Sequence, residues 1–417
     1  VIARRELLGA ASLALAGCAT PGRARPQVVV VGGGFGGATA ARYLKLWGGA
    51  AVDVTLVERN DGFISCPMSN LVIAGVREPL SLAHGYAALE AQGVRRLRGE
   101  VVGIDPAGRS LRLADRSTRR WDRLILAPGI DFQLDATPGL AAALDSGRVV
   151  HAWKAGAQTL ALRRQLQALP DGGVVLMSIP KAPYRCPPGP YERACLIASW
   201  LRRHRPRAKL LVLDANPEIQ SKKALFERAF REHHAGVLTY QPNAELREVA
   251  GDVARFEFED VRADVLNLIP PQRAGSLARE LANVNGRWVG VDWLSMQAQA
   301  AAGVHVVGDA VFSAPGMPKS AHLANQQAKV AAAAVLAELQ GQPVNPAPVV
   351  MNTCYSFVTP DEAMHVAAVY QYDATERTMK AVAGAGGVSP RASAAEADVA
   401  RDWAENIWAD SLALGSK

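Results

Sequence analysis

The segment Gln27 to Val31, followed at once by Gly32-Gly33-Gly34-Phe35-Gly36-Gly37 and the Ala-rich stretch Ala38 to Leu46, constrains this chain more than any other. A β-branched run, a glycine turn and a helix-forming stretch in that order are the parts of a strand–turn–helix that binds a dinucleotide. Gly32 permits the turn, Gly34 lets the backbone approach a pyrophosphate, and Gly37 allows the helix to pack closely. The helix N-terminus then offers unpaired N–H groups to the anion. A second β-rich run, Val52 to Val57, ends at Glu58, 21 residues beyond Gly37, where a carboxylate is expected to hold the adenosine ribose hydroxyls. An acid there disfavours a ribose phosphate, which points to FAD or NAD rather than NADP.

Two further segments favour FAD. Trp121 to Gly129 reads as a strand ending in a turn at Ala127 and Gly129, where the backbone would cross the cofactor. Val304 to Ala310 is an apolar strand ending in Asp309, and it resembles the segment with which two-dinucleotide flavoproteins bond the ribityl chain; a helix cap is the other reading of Asp309. Between them, Gly173–Ile179, Tyr191–Arg203 and Lys209–Leu213 repeat the strand–helix–strand order. Here the glycine turn is replaced by Pro180 to Pro190, a stiff proline loop with few N–H donors for a pyrophosphate. No NAD is therefore expected.

These elements predict an α/β fold: two Rossmann-like dinucleotide-binding domains, arranged as in the disulfide reductases, and a C-terminal α+β domain. The FAD-binding domain is assigned to 27–148 and 268–342, the second Rossmann-like domain to 149–267, and the C-terminal domain to 343–417. In the last of these, Val349–Val358 and Ala367–Tyr372 read as strands and Ala381–Ala397 as a loose surface loop. Arg401–Leu412 reads as a helix with Trp403, Ile407, Trp408 and Leu412 on one side.

A chain of 417 residues, 49% hydrophobic, can bury cores for two or three such domains. Its net charge of +7 is scattered among 39 acids and has no nucleic-acid footprint. After residue 26 no apolar run approaches the roughly 20 residues of a spanning helix. Residues 1–26 read as an export signal of the twin-arginine type, with Arg4-Arg5 ahead of the short apolar stretch Leu7 to Ala16. Leu15-Ala16-Gly17-Cys18 also matches a lipoprotein processing box, so lipidation at Cys18 is the expected membrane contact. Export would place the protein in the periplasm, an oxidising compartment where a disulfide persists.

Of the five cysteines, Cys18 belongs to this leader and leaves Cys66, Cys186, Cys195 and Cys354, which allow three pairings. No CxxC spacing or histidine cluster points to a metal site, and no CxxCH points to covalent haem on this chain.

With these residues assembled, the chain resembles the flavoprotein subunits of flavocytochrome c sulfide dehydrogenase, with the sulfide:quinone oxidoreductases and disulfide reductases as wider relatives. The likeness runs from VVVVGGGFGGATAARYLK through HAWKAG, RCPPGPYERA, NLIPPQRAG, VVGDA and MPKS to NTCYS. RCPPGPYER and NTCYS are far more specific than the glycine motif.

The resemblance implies that Cys186 and Cys354 form a redox disulfide beside the flavin and that Cys66 bonds the flavin 8α-methyl group. Hydrosulfide would open the disulfide and yield zero-valent sulfur or polysulfide. Electrons would leave through FAD to a c-type cytochrome subunit, the haem residing only on that partner of a heterodimer. Glu192 is the expected general acid or base, its other reading being a first-turn helix carboxylate. Lys319 is expected to place a positive charge near the flavin pyrimidine, or else to be solvated. Cys195 inherits no role and reads as a packed helical thiol. The alternatives are a sulfide:quinone oxidoreductase, a non-catalytic flavin-binding partner in a sulfur-oxidising assembly, and an NADH-dependent disulfide reductase, which the proline loop weakens.

Overall fold

The computed structural model of the chain describes residues 25–415; the leader reading, with Arg4, Arg5 and Cys18, lies outside the described residues. Gln27–Val31 is the central strand of a five-stranded parallel sheet. Asp53–Glu58 and Arg95–Arg98 lie on one side of it, and Arg123–Leu126 and Val304–Val306 on the other. Val28 to Val31 are buried, because a parallel sheet covered on both faces needs apolar side chains at successive positions. Each such valine or leucine contributes about 1.5–3 kcal/mol by leaving water.

The helix after the glycine turn, Phe35–Gly48, packs against Ala321–Leu339 and against the terminal helix Ala394–Leu412. Small residues such as Gly37, Ala38, Ala40 and Ala41 line its buried side and permit the close approach. Polar pins cross the same contact: Tyr43 donates to Asp410 (2.6 Å), as does Asn325 (2.7 Å).

A second parallel sheet takes the order Leu238–Gln241, Lys209–Asp214, Val174–Ile179, Val265–Leu268. The helix Gly189–His204 follows the proline loop and packs on it. The C-terminal part is an antiparallel three-stranded sheet, Val349–Phe357, Ala363–Asp373 and Thr378–Val388, followed by the terminal helix. The fold is thus α/β with two Rossmann-like units and a C-terminal domain.

The expected loose loop at Ala381–Ala397 is overturned. Ala381 to Val388 belong to the third strand, whose alanines and glycines are held by pairing with Ala363–Asp373 rather than by side-chain packing. Gly386 sits at φ +151, and a Cβ there would lie 2.3 Å from the Ala367 carbonyl oxygen, so the chain needs glycine at this bulged crossing. The terminal helix also begins at Ala394, not Arg401, because Ser393 caps it by accepting from the Glu396 amide (3.2 Å).

Candidate functional site

A cavity of about 480 Å³ runs from the glycine turn, across the ends of the first sheet, to the start of the helix after the proline loop and the strand bearing Cys354. Gly34, Glu58, Cys66, Ala127, Gly129, Cys186, Glu192, Asp309 and Cys354 all line it. The first sheet's fingerprint, the proline loop of the second unit and the antiparallel strand of the third therefore meet at one place.

Gly32 and Gly37 stand behind the wall. Gly32 has φ +101, and a Cβ on Gly37 would fall 1.8 Å from the Gly32 carbonyl oxygen, so this pair fixes the turn. Gly34 is different: a Cβ there would meet nothing within 4 Å, since it faces the cavity. Glu58 accepts from the Gly33 amide (2.6 Å) and from Asn60 through its other oxygen (2.8 and 2.6 Å), which leaves lone pairs for ribose hydroxyls. Asp309 Oδ1 is buried with no hydrogen-bond partner, and burial raises its pKa against the pull of Arg185 and Lys319. An open glycine face, a helix N-terminus, a ribose acid and a buried orphan acceptor fit FAD: Gly34 and the Phe35 helix for the pyrophosphate, Glu58 for the ribose, Asp309 for ribityl hydroxyls.

The second unit offers no such cradle. Its acid at the matching strand end is Asp214, fully buried and engaged by Tyr191 (2.7 Å), Tyr240 (2.9 Å) and Asn216 (2.9 and 2.7 Å).

The described cysteines, Cys66, Cys186, Cys195 and Cys354, are all free. The Cys186–Cys354 disulfide implied by resemblance is thus not formed in this structure, which holds the pair as two thiols sharing the cavity. Cys186 has φ +57, a left-handed conformation uncommon for a side-chain-bearing residue, fixed by hydrogen bonds from its amide to the Lys319 carbonyl and from the Gly189 amide to its own carbonyl (2.8 Å each). Only glycine fits at 189, since a Cβ would come within 2.9 Å of both Cys186 Sγ and Trp153. Burial raises the Cys186 thiol pKa, as do Cys354 and Glu192, while Arg185 and Lys222 oppose this. Burial also raises that of Cys354, against Lys222 and the Asn352 amide, whose Nδ2 lies 3.3 Å from Cys354 Sγ. Cys195 is wholly buried in the helix and does not line the cavity.

Glu192 bridges the two cysteine-bearing elements. One carboxylate oxygen accepts from the Phe357 amide (3.0 Å) and the other from Asn70 Nδ2 (2.7 Å). Burial raises its pKa, while those donors, Lys222 and Arg193 hold it down.

Lys319 departs from the solvated reading. It is 5% exposed, so it is not solvated; its ammonium donates to the Val311 carbonyl and lies 3.8 Å from the centre of the Trp288 ring. It does not form part of the cavity wall. Burial pulls its pKa down to about 7, with Asp309 holding it up.

Four participants escape sequence reasoning. Arg185 lines the cavity, donates to the Trp153 carbonyl, lies 3.8 Å from Asp309 and interacts with Cys66. Arg193 is 2% exposed and spends its guanidinium on Asn70, Asn267 and the carbonyls of His151 and Ala152. Trp153 closes over Gly189 and packs under Arg193. Lys222 donates to the Cys354 carbonyl (2.8 Å). Arg185, Arg193 and Trp153 had a local signal, lying in the RCPPGPYERA and HAWKAG motifs; Lys222 carried none.

Two parallel Rossmann-like sheets, one with a full nucleotide fingerprint, joined at a cavity that holds two thiols, define a flavoprotein of the two-dinucleotide-binding-domain fold. A pyridine nucleotide-disulphide oxidoreductase family model matches residues 26–166. The chain belongs to the family of the flavocytochrome c sulfide dehydrogenase flavoproteins and their sulfide:quinone oxidoreductase relatives, and it binds FAD. Residues 159–270 match the model "Sulfide dehydrogenase (flavocytochrome c) flavoprotein chain, central", and residues 346–412 match "Flavocytochrome c sulphide dehydrogenase, flavin-binding".

A sulfide dehydrogenase flavoprotein chain from Chlorobaculum thiosulfatiphilum is 54% identical over 46 residues, which are 94% of that sequence and 11% of this one. The mitochondrial sulfide:quinone oxidoreductase of Mus musculus is 26% identical over 307 residues, covering 68% of this chain. The chain spans 65% of the mouse protein and 64% of the Dictyostelium discoideum one. The sulfide:quinone oxidoreductase structure from Aquifex aeolicus superposes with a TM-score of 0.75 at 17% identity, over 93% of this chain and 91% of that one, which is a likeness of fold.

Proposed function

We propose that this protein is an FAD-dependent oxidoreductase that oxidises hydrosulfide through Cys186 and Cys354 and passes the electrons to a c-type cytochrome subunit. The observation that carries the reading is the convergence of Cys186, Cys354 and Glu192, from two distant parts of the chain, on the cavity whose far end is built for FAD. The family of flavocytochrome c sulfide dehydrogenases supports both the substrate and the kind of acceptor.

In the oxidised protein the two sulfurs form a disulfide, which the oxidising compartment proposed for this chain, the periplasm, would maintain. Glu192 takes the proton from dihydrogen sulfide at its sulfur atom and leaves hydrosulfide. Hydrosulfide attacks Cys186 Sγ, forming a new S–S bond and breaking the old one, so that Cys186 carries a persulfide and Cys354 a thiolate. A second sulfide attacks the outer persulfide sulfur and carries it away as disulfide or longer polysulfide. The Cys186–Cys354 disulfide then re-forms, which frees the electron pair and closes the cycle; FAD held in the cavity would supply a two-electron acceptor able to pass electrons singly to the partner's haem. Gly34, Glu58 and Asp309 would hold FAD, and Cys66 would attach it covalently. Arg185 stands between Asp309 and Cys66 as the positive charge of that region.

The test is anaerobic mixing of the purified holoprotein with sulfide, followed by addition of cytochrome c or a short-chain quinone. The reading expects flavin bleaching and cytochrome reduction. Flavin that does not bleach would make the protein a non-catalytic flavin carrier, and exclusive reduction of quinone would make it a quinone reductase. Cys186→Ser and Cys354→Ser should each keep FAD and lose the bleaching; unchanged bleaching refutes the sulfur route.

A further inference from the structure

Lys222 does not line the FAD cavity, yet its ammonium is buried beside the sulfur pair. The residue precedes the helix Lys223–His233 in a left-handed conformation, φ +54, and its carbonyl accepts from the Leu225 and Phe226 amides (3.0 Å each). A non-glycine residue in that conformation is uncommon, and a lysine that is 8% exposed is more so. Helix initiation does not need this side chain, since it makes no capping hydrogen bond. Its Nζ instead reaches out of the second unit and donates to the Cys354 carbonyl (2.8 Å) in the C-terminal sheet.

The titratable groups that act most strongly on it are of one kind. Cys354 comes from the Val349–Phe357 strand, Cys186 and Glu192 from the end of the proline loop and the helix it opens, and Glu396 from the terminal helix. Each can carry negative charge, and the nearest aromatic face is Phe226, 6.0 Å from Nζ. Burial pulls the ammonium pKa down to about 8, and those four groups hold it up. A desolvated cation held at the Cys354 carbonyl, with latent anions near it, is arranged for the moment one of them becomes charged.

We propose that Lys222 is a positioning residue for the sulfur exchange: it fixes the Cys354 segment through its carbonyl and supplies the positive charge that stabilises the thiolate released on Cys354. This rests on the sulfide reading above. In the step it assists, hydrosulfide forms an S–S bond to Cys186 and the Cys186–Cys354 bond breaks. The electron pair of the broken bond leaves on Cys354 Sγ, and the proton stays on the terminal sulfur of the persulfide. The incoming sulfur is oxidised to the persulfide level and the cysteine disulfide is reduced, with no other reactant.

The experiment uses holoprotein reduced with dithiothreitol. Alkylation of Cys354 by iodoacetamide is followed across pH by peptide mass spectrometry, for the wild type, Lys222→Gln, Lys222→Met and Lys222→Arg. Lys222→Gln keeps a donor for the Cys354 carbonyl and removes the charge. It should move the Cys354 midpoint up by about one pH unit and slow both alkylation below the midpoint and sulfide-dependent bleaching about tenfold. Lys222→Met should do at least as much, and Lys222→Arg should return alkylation to within about threefold of the wild type. An unchanged midpoint in the two uncharged proteins overturns the proposal. If neither folds, the arginine protein decides, and a tenfold loss there overturns it. The alkylation profile needs no sulfide, so a wild-type flavin that sulfide fails to bleach would sink the sulfide reading and leave this test standing.

Discussion

Glu192 accepts the amide hydrogen of Phe357 at 3.0 Å, a bond that ties the helix opened by the Cys186 loop to the strand carrying Cys354 three residues earlier. The carboxylate is thus a brace between the two thiol-bearing elements, besides being the acid–base group of the proposed reaction, and both oxygens receive N–H donors.

Changing Glu192 to glutamine should therefore cost on two counts. Its NH2 group must face one of two N–H donors, which leaves a buried mismatch worth about 1–3 kcal/mol, readable by denaturant unfolding. Sulfide-dependent bleaching should fall about a hundredfold. The acid side of its pH profile should flatten too: Glu192 has a raised pKa, so the wild type loses the basic form as pH falls through that value and the variant has nothing to titrate. A rate and profile equal to the wild type would remove Glu192 from the chemistry.

Gly34→Ala and Gly37→Ala should separate binding from folding. At 34 the added methyl enters open cavity, so the apoprotein should unfold at the wild-type temperature while FAD affinity drops. At 37 it would meet the Gly32 carbonyl oxygen, which should destabilise the protein by about 3 kcal/mol or more. Thermal unfolding with and without FAD distinguishes the two.

If Cys66 carries the flavin covalently, acid-denatured wild-type protein should keep its yellow colour on a gel while Cys66→Ser releases free FAD. Flavin released equally from both would show that the Cys66 thiol only lines the cavity.

Asp410 should hold the terminal helix to the nucleotide helix in a pH-dependent way. Burial raises its pKa, but Tyr43, Lys329 and Asn325 outweigh that, and the net shift is downward. A folded value below the unfolded one means the stabilisation is complete above about pH 4 and is lost as pH falls through the folded value. Asp410→Ala should cost about 2 kcal/mol at neutral pH, measured by chemical denaturation, and the difference from wild type should shrink as pH falls through the lowered folded value of Asp410. A constant difference across that range would refute the electrostatic account.

The legible parts of this chain were those set by neighbours in sequence. The glycine turn, its flanking strand and helix and the acid at 58 follow from local backbone requirements, and all fall where the periodicity puts them. The surroundings of the sulfur pair were not legible, because Lys222, Trp153 and Asn70 reach it only through packing between units. The burial of Lys319 was not legible for the same reason: nothing local in its motif points to the Trp288 ring that covers it. The strand at Thr378–Val388 hid behind its alanines and glycines, since its order comes from the neighbouring strand. The Ser393–Glu396 cap was readable and marks where the helix begins.

Trp403, on the terminal helix, lines the same cavity as the glycine turn, and that helix is pinned to the first one through Asp410. The wall is therefore completed by residues that leave the ribosome about 370 positions after the fingerprint does. A nascent chain can form its first βαβ unit early and still lack its second reactive thiol, its buried brace and part of its wall. On the proposed reading, redox competence would appear late in synthesis, and a half-made chain would be spared the sulfur chemistry of the finished one.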